Sequence, residues 1–246
     1  PSPVLCTTLS HMRANTSLDL TSGRRSHSVY VSIRASVKDP AVVAIGQMVV
    51  THLIDDRGKV IPFDAPKEDS TPAYNQRSRT HSRYNKPPAT SISATVNPGY
   101  LPQNIRTVAG YVTVLTASKK KTVKADLEAG KSLDSDAGTF TIKEVKHKDS
   151  SLSVPVSFST VGGPMRIYGD RPFVLEYYVK DDKDNRWESR GYSGGWSSQQ
   201  DGSATGNLTL SFSGEKDATP KSIHLVVVSD TKAEKLPFVV ELGTQR

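Results

Sequence analysis

Hydrophobic and polar residues alternate along much of this chain. The clearest case is residues 29–37, where Val29, Val31, Ile33, Ala35 and Val37 fall on one face and Tyr30, Ser32, Arg34 and Ser36 on the other. Successive side chains of a β-strand point to opposite faces, so this is the pattern of a strand with one face on a core. Similar runs predict strands over residues 48–54, 91–96, 105–115, 122–127, 140–145, 152–159, 173–180, 206–212, 222–228 and 238–242, with short return strands at 59–61 and 186–188. Residues 1–17 carry little periodicity and read as an irregular lead-in, with a short strand beginning at Leu18. Residues 38–46 read as a crossing loop. Helical periodicity is almost wholly lacking, and strands spaced about ten residues apart with short turns predict an all-β fold.

One stretch occurs twice. QMVVTHLIDDRGKVI, from Gln47, and RPFVLEYYVKDDKDNRWE, from Arg171, each carry a β-rich run, a double-aspartate turn and a return strand. In the first, Asp55 and Asp56 supply acceptors for turn amides, and Gly58 takes the positive φ of a tight reversal. In the second, Asn185 is expected to replace Gly58 as the residue tolerating the left-handed conformation. VTVLTASKKKTVKADL, from Val112, likewise resembles VVVSDTKAEKLPFVVEL, from Val226, and both read as closing hairpins, the first with Lys119, Lys120 and Lys121 at its tip. The matches keep their order while the loops between them differ in length, as repeated domains do. The expectation is therefore two tandem antiparallel β-sandwich domains, Ig-like in the broad sense and related by internal duplication. The first spans 18–130 and carries a long polar insertion at 62–90; the second spans 131–246, with a linker at 128–138. The disulfide and mid-strand tryptophan of antibody domains are missing, since Trp187 follows a turn and Trp196 lies in a glycine-rich loop.

The double-aspartate turn in each half, the IR..AGYVTV strand after a proline-containing stretch, and FTIKEV followed by LSVPVSF at the opening of the second half resemble uncharacterised exported proteins of planctomycete bacteria. The resemblance covers residues 18–246. It implies an exported β-sandwich protein, periplasmic or at the cell surface, and carries no activity or residue role with it.

Composition adds limits. The chain has 246 residues, 35 % of them hydrophobic and 7 % aromatic, with a net charge of +7. Mean hydropathy is −0.44, which argues for a soluble chain, and no run approaches the roughly 18 apolar residues of a spanning helix. The chain opens on Pro1 without a charged segment leading into an apolar run, which leaves a removed leader peptide open. The single cysteine, Cys6, excludes an intrachain disulfide and a cysteine-based metal cluster. The positive charge is compatible with a polyanionic partner. Its basic residues are scattered over several loops and match no nucleic-acid module, which speaks against a nucleic-acid partner.

The candidate chemistry is sparse. Asp181, Asp182 and Asp184, with Asn185, crowd oxygen atoms as a calcium ion would need, but the EF-hand pattern is not met and solvated turns are the simpler reading. The histidines at 11, 27, 52, 81, 147 and 224 have no paired metal-binding spacing, and no nucleophile elbow, phosphate loop or dinucleotide fingerprint is present. These readings give a non-enzymatic protein without a cofactor, although a carboxylate pair assembled in space would leave no mark in a sequence. The distinctive residues lie in the loops after the two double-aspartate hairpins. Tyr74, Arg77, Arg79, His81, Arg83 and Tyr84 occupy the first, and Trp187, Tyr192 and Trp196 the second. Exposed aromatics stack on sugars or anchor interfaces, and clustered arginines suit sulfate, carboxylate or phosphate groups. The same aromatics could fold back onto their own sandwich. The functional expectation is a structural, adhesion or recognition module whose partner is a protein or polysaccharide at a cell surface, with an accessory carbohydrate-binding protein as the alternative.

Overall fold

A computed structural model describes residues 5–63, 89–101, 104–161 and 171–242. The fold is all-β: among the described residues 74 % are strand and none is helix. The strands are β1 (Leu5–Leu18), β2 (Arg25–Val37), β3 (Val42–Asp55), β4 (Ala89–Val96), β5 (Ile105–Asp126), β6 (Ser132–Ser135), β7 (Gly138–Ile142), β8 (Lys146–Lys148), β9 (Ser151–Thr160), β10 (Phe173–Asp181), β11 (Arg186–Ser198), β12 (Ala204–Ser213) and β13 (Pro220–Glu241). They form two sheets, one of three strands and one of ten. None of the described residues forms a helix long and apolar enough to cross a membrane.

The fold divides into two compact units. One comprises residues 1–116 with 233–246, the other residues 117–232. In the first, β2 lies between β1 and β4, and β3 pairs antiparallel with the first part of β5. All five apolar residues of the alternating run in β2, Val29 to Val37, have no solvent exposure. They pack with Ile45, Met48, Val50 and Leu53 of β3, Val108, Val112 and Val114 of β5, and Leu236 and Phe238 of β13. Each fully buried aliphatic side chain of this kind contributes about 1.5–3 kcal/mol.

The second unit repeats this order of pairings. Strand β9 lies between β7 and β12, and β10 pairs antiparallel with β13. Asp55, the last residue of β3, stands opposite Ile105, the first of β5. Asp181, the last of β10, stands opposite Pro220, the first of β13. The core of this unit collects Phe140, Val154, Val156, Tyr177, Val179, Trp187, Leu210, Phe212, Ile223 and Leu225. Tyr177 meets Phe212 edge to face at 5.7 Å.

Several expectations need correction. Residues 5–18 form a strand on the edge of its sheet, not an irregular lead-in. A one-residue bulge between Leu9 and His11 breaks the alternation of Leu5, Leu9 and Met12, so the period-2 signal is lost to the eye. The crossing loop at 38–46 is shorter than expected, because β3 begins at Val42 and buries Val42 to Ile45. The stretch at 128–138 buries Leu133 and Ala137 and contains β6.

The two closing hairpins are not hairpins. Each is a single strand of 22 residues, β5 and β13. Residues 118–122 of β5, lysine triplet included, are exposed on both faces, so no alternation is required of them. In β13 the interruption is conformational. Asp230 has φ 51°, and residues 229–235 around it present no buried side chain.

The double-aspartate turns have one geometry. The Asp55 amide donates to the Lys59 carbonyl at 3.0 Å and the Gly58 amide to the Asp55 carbonyl at 3.1 Å; the Asp181–Asn185 and Asp184–Asp181 bonds match them at 3.0 and 3.1 Å. This is a three-residue hairpin loop with its third residue in the left-handed region. Gly58 holds that position at φ 78°, and Asp184, not Asn185, holds it at 65°. Asn185 instead corresponds to Lys59. Gly58→Ala should therefore lower stability by about 1 kcal/mol, while Asp184→Gly should leave the melting temperature unchanged or raise it. Thermal unfolding of both variants measures this opposite response.

Candidate functional site

In the second turn the Asp181 side chain is turned inward and only 4 % exposed. Its Oδ1 accepts from the Lys183 amide at 2.9 Å and the Asn185 amide at 2.8 Å, and its Oδ2 from the Asn185 side-chain amide at 3.2 Å. Burial pushes this carboxyl up, and the Asn185 amide, the Asn185 side chain, the Lys183 amide and the Trp187 indole more than offset it, so it lies below the usual carboxylate range. Asp184 binds Lys180 Nζ through both oxygens at 2.8 Å, and Asp182 is exposed. Of the aspartates weighed against calcium binding in the sequence, Asp181 and Asp184 thus have separate partners and Asp182 lies exposed. Among the described residues no three His, Cys, Asp or Glu side chains gather as metal ligands.

Trp187 belongs to the core, not to a surface. It lies within β11 opposite Val179 and is 1 % exposed. His147 of β8 meets its ring edge-on at 5.3 Å, and a Cβ added at Gly214 would run into the ring itself. The indole N–H is buried without completing a hydrogen bond, although it stands near enough to favour the Asp181 carboxylate. The tryptophan that sequence offered as a ligand platform is a packing residue behind the turn.

Beyond Trp187, β11 changes its pairing. Lys180 and Val179 of β10 pair with Arg186 and Trp187, whereas β12 pairs with β11 from Glu188 to Ser198, with a bulge between Ser189 and Gly191. Residues 191–198, read from sequence as a glycine-rich loop, are therefore strand, with β12 as neighbour on one side. Tyr192 stands opposite Leu210, Gly194 opposite Leu208 and Trp196 opposite Gly206, so the three share a face of the strand. Gly194 has φ 139°, and a Cβ there would strike the backbone of Asn207 and Leu208. The space between the two rings is thus held free of a side chain. Tyr192 is 41 % exposed; Trp196 is half-buried and leans on the core. Of the three aromatics expected at this site, the fold leaves Tyr192 open, Trp196 partly open and Trp187 closed.

A second cluster, which the sequence reading passed over, covers the polar face of β10 and β13. The Tyr178 and His224 rings stack at 4.8 Å with planes 6° apart, and the Arg186 guanidinium lies 4.1 Å from the centre of the Tyr178 ring. Arg186 also pairs with Glu176 and approaches Glu188 at 3.3 Å. His224 Nε2 is 3.0 Å from Ser222 Oγ. Burial pushes the His224 imidazole down, the charges of Lys180 and Lys124 add to this, and Asp184 opposes it. Alternation in 173–180 puts Tyr178 and Lys180 on one face, but only the antiparallel register brings His224 opposite Tyr178.

Tyr74, Arg77, Arg79, His81, Arg83 and Tyr84 lie outside the described residues. Compared with protein-family models, curated proteins and solved structures, the chain finds no match.

Two predictions follow from the burial of these groups. Trp187→Ala should cost about 3–5 kcal/mol in chemical denaturation, as for other fully buried aromatics, whereas Tyr192→Ala should cost well under half of that. The unfolded chain binds a proton at His224 near pH 6.5, its ordinary value, which the folded chain resists. Unfolding is then coupled to proton uptake below that pH, and stability falls as pH falls from 7 through the depressed folded value. The slope of melting temperature against pH between 7 and 5 should become shallower in His224→Gln.

Proposed function

We propose that this chain is a non-enzymatic, exported structural or recognition module, composed of two tandem Ig-like β-sandwiches derived by internal duplication. The repeated order of pairings supports the duplication: β2 between β1 and β4 in one unit, β9 between β7 and β12 in the other, and a buried-aspartate turn leading from the same strand in each. The resemblance to exported planctomycete proteins supports placement in the periplasm or at a cell surface, where the partner is a protein or polysaccharide.

The observation that carries a recognition role is the strip Tyr192–Gly194–Trp196 on one face of β11. An exposed and a half-buried aromatic with no side chain between them suit the flat, apolar face of a sugar ring or an aromatic-rich protein segment. The accessory carbohydrate-binding reading is favoured specifically by the partial exposure of both rings. A saccharide array probed with the whole chain tests it. Binding that Tyr192→Ala and Trp196→Phe each weaken about tenfold or more, with melting temperatures retained, is the expected result; about 1.4 kcal/mol underlies each tenfold step. Absence of saccharide binding, or binding indifferent to both substitutions, removes the carbohydrate reading.

A further inference from the structure

The sheet of β1, β2 and β4 turns one face to its core and the other to solvent. The odd residues of β2 from Val29 to Val37 take the core face, so Tyr30, Ser32 and Arg34 take the outer one. The antiparallel register sets their neighbours. Tyr30 stands between Arg13 of β1 and Thr95 of β4, and Arg34 between Thr8 and Ser91. Directly opposed residues of neighbouring strands share a face, and the four neighbours and Arg34 are all exposed. Tyr30, on the central strand, is 37 % exposed, with the His11 ring tilted against it at 6.1 Å.

This surface is cationic because nothing in its sheet is acidic. Strands β1, β2 and β4 contain no aspartate or glutamate. Arg13 engages Asn15 Oδ1 through Nε at 3.0 Å, and among the described residues no ion pair involves Arg13 or Arg34. The polar face of β10, β11 and β13 is the opposite case, since Arg186 meets Glu176 and Glu188, and Lys180 meets Asp184. Nor does a sheet of this kind need such groups in order to form. Strand β9 lies between β7 and β12 as β2 lies between β1 and β4, and its outward positions are Ser151, Ser153, Pro155, Ser157 and Ser159, without a charge or an aromatic ring.

We infer that the outer face of β1, β2 and β4 binds an acidic polysaccharide of the uronate type, one chain lying extended along β2 with carboxylates on Arg13 and Arg34. Guanidinium groups give charge-assisted, bidentate contacts to carboxylates. The hydroxyls of Ser32 and its neighbour Ser93 donate to and accept from sugar hydroxyls, and the Tyr30 ring offers a stacking face. Strands about 4.8 Å apart make the three together a surface roughly 10 Å across, the width of a single polymer chain. Charge spacing separates this ligand from a nucleic acid. Arg13 is level with Tyr30, and residues 30 and 34 are roughly 13 Å apart along β2, whereas each strand of a duplex carries a charge about every 3.4 Å. Single strands are held by several aromatics along a basic groove, and this face has one tyrosine and two arginines. The inference shares only the class of partner with the β11 strip, which lies in the other unit.

The test titrates the whole chain with a hyaluronan oligosaccharide, its carboxyl methyl ester, and an oligothymidylate bearing the same number of charges, followed by calorimetry and by NMR of the backbone amides. Saturable binding of the acidic saccharide is expected, with shifts at Tyr30, Ser32 and Arg34, an affinity that falls as salt rises, and no binding of the ester. Arg13→Gln combined with Arg34→Gln should weaken binding about tenfold or more, and Tyr30→Ala by less. Lys121→Gln combined with Lys148→Gln removes the same charge from exposed positions of the other unit and should change the affinity by less than about twofold. Equal losses in the two double variants overturn the site in favour of general charge attraction. Equal binding of the ester, or tighter binding of the oligothymidylate, overturns the acidic-saccharide assignment, and absence of binding overturns both. Tyr192→Ala should leave this binding unchanged, so failure here and failure of the β11 strip are told apart. Arg13 and Arg34 are exposed, so their variants keep the fold, as retained melting temperatures verify.

Discussion

A carboxylate that satisfies the amides of its own turn is the contact on which the hairpins of this chain depend. Asp55 accepts from the amides of Arg57 and Lys59, and Asp181 from those of Lys183 and Asn185. Each aspartate ends a strand and starts a reversal, so its side chain fixes the residue at which the chain turns. With that residue fixed, a shift of one position in either strand would carry its apolar set from core to solvent. The first aspartate of each acidic pair is thus explained by backbone donors, and the Asp181 carboxyl is held below the usual carboxylate range by them against its own burial.

The second consequence of strand geometry is that polar ends and edges become the places where a ligand can reach the fold. Strand β11 leaves β10 after Trp187 and continues beside β12, and only then do its aromatics come into the open. The aromatic strip thus arises where a strand outlasts a partner. The Arg186–Tyr178–His224 stack differs, because its groups are already engaged with one another and with Glu176, Ser222 and Glu188. It reads as an ordered polar face, with a proton-linked effect on stability as its measurable property.

Much of the fold was legible because burial is written into alternation. The run at 29–37 identified every core residue of β2, and the repeated aspartates marked both turns. Legibility failed where alternation is interrupted without the strand ending. The bulge after Leu9 hid β1, the lysines of β5 imitated a turn, and Asp230 in the left-handed region divided β13 into two apparent strands. In each case extended backbone continues through residues whose side chains no longer report a buried face.

The sequence by itself determined the all-β class, the faces of the regular strands and the position of the two double-aspartate turns. Those follow from local rules: side-chain direction, turn propensity and charge. Only the tertiary structure decided which aromatic is a core residue and which is open, since Trp187 and Tyr192 lie on one strand and differ only in what packs over them. Only it placed His224 on Tyr178. Register and strand length relative to a neighbour are long-range properties, and no local pattern encodes where a distant strand will stop.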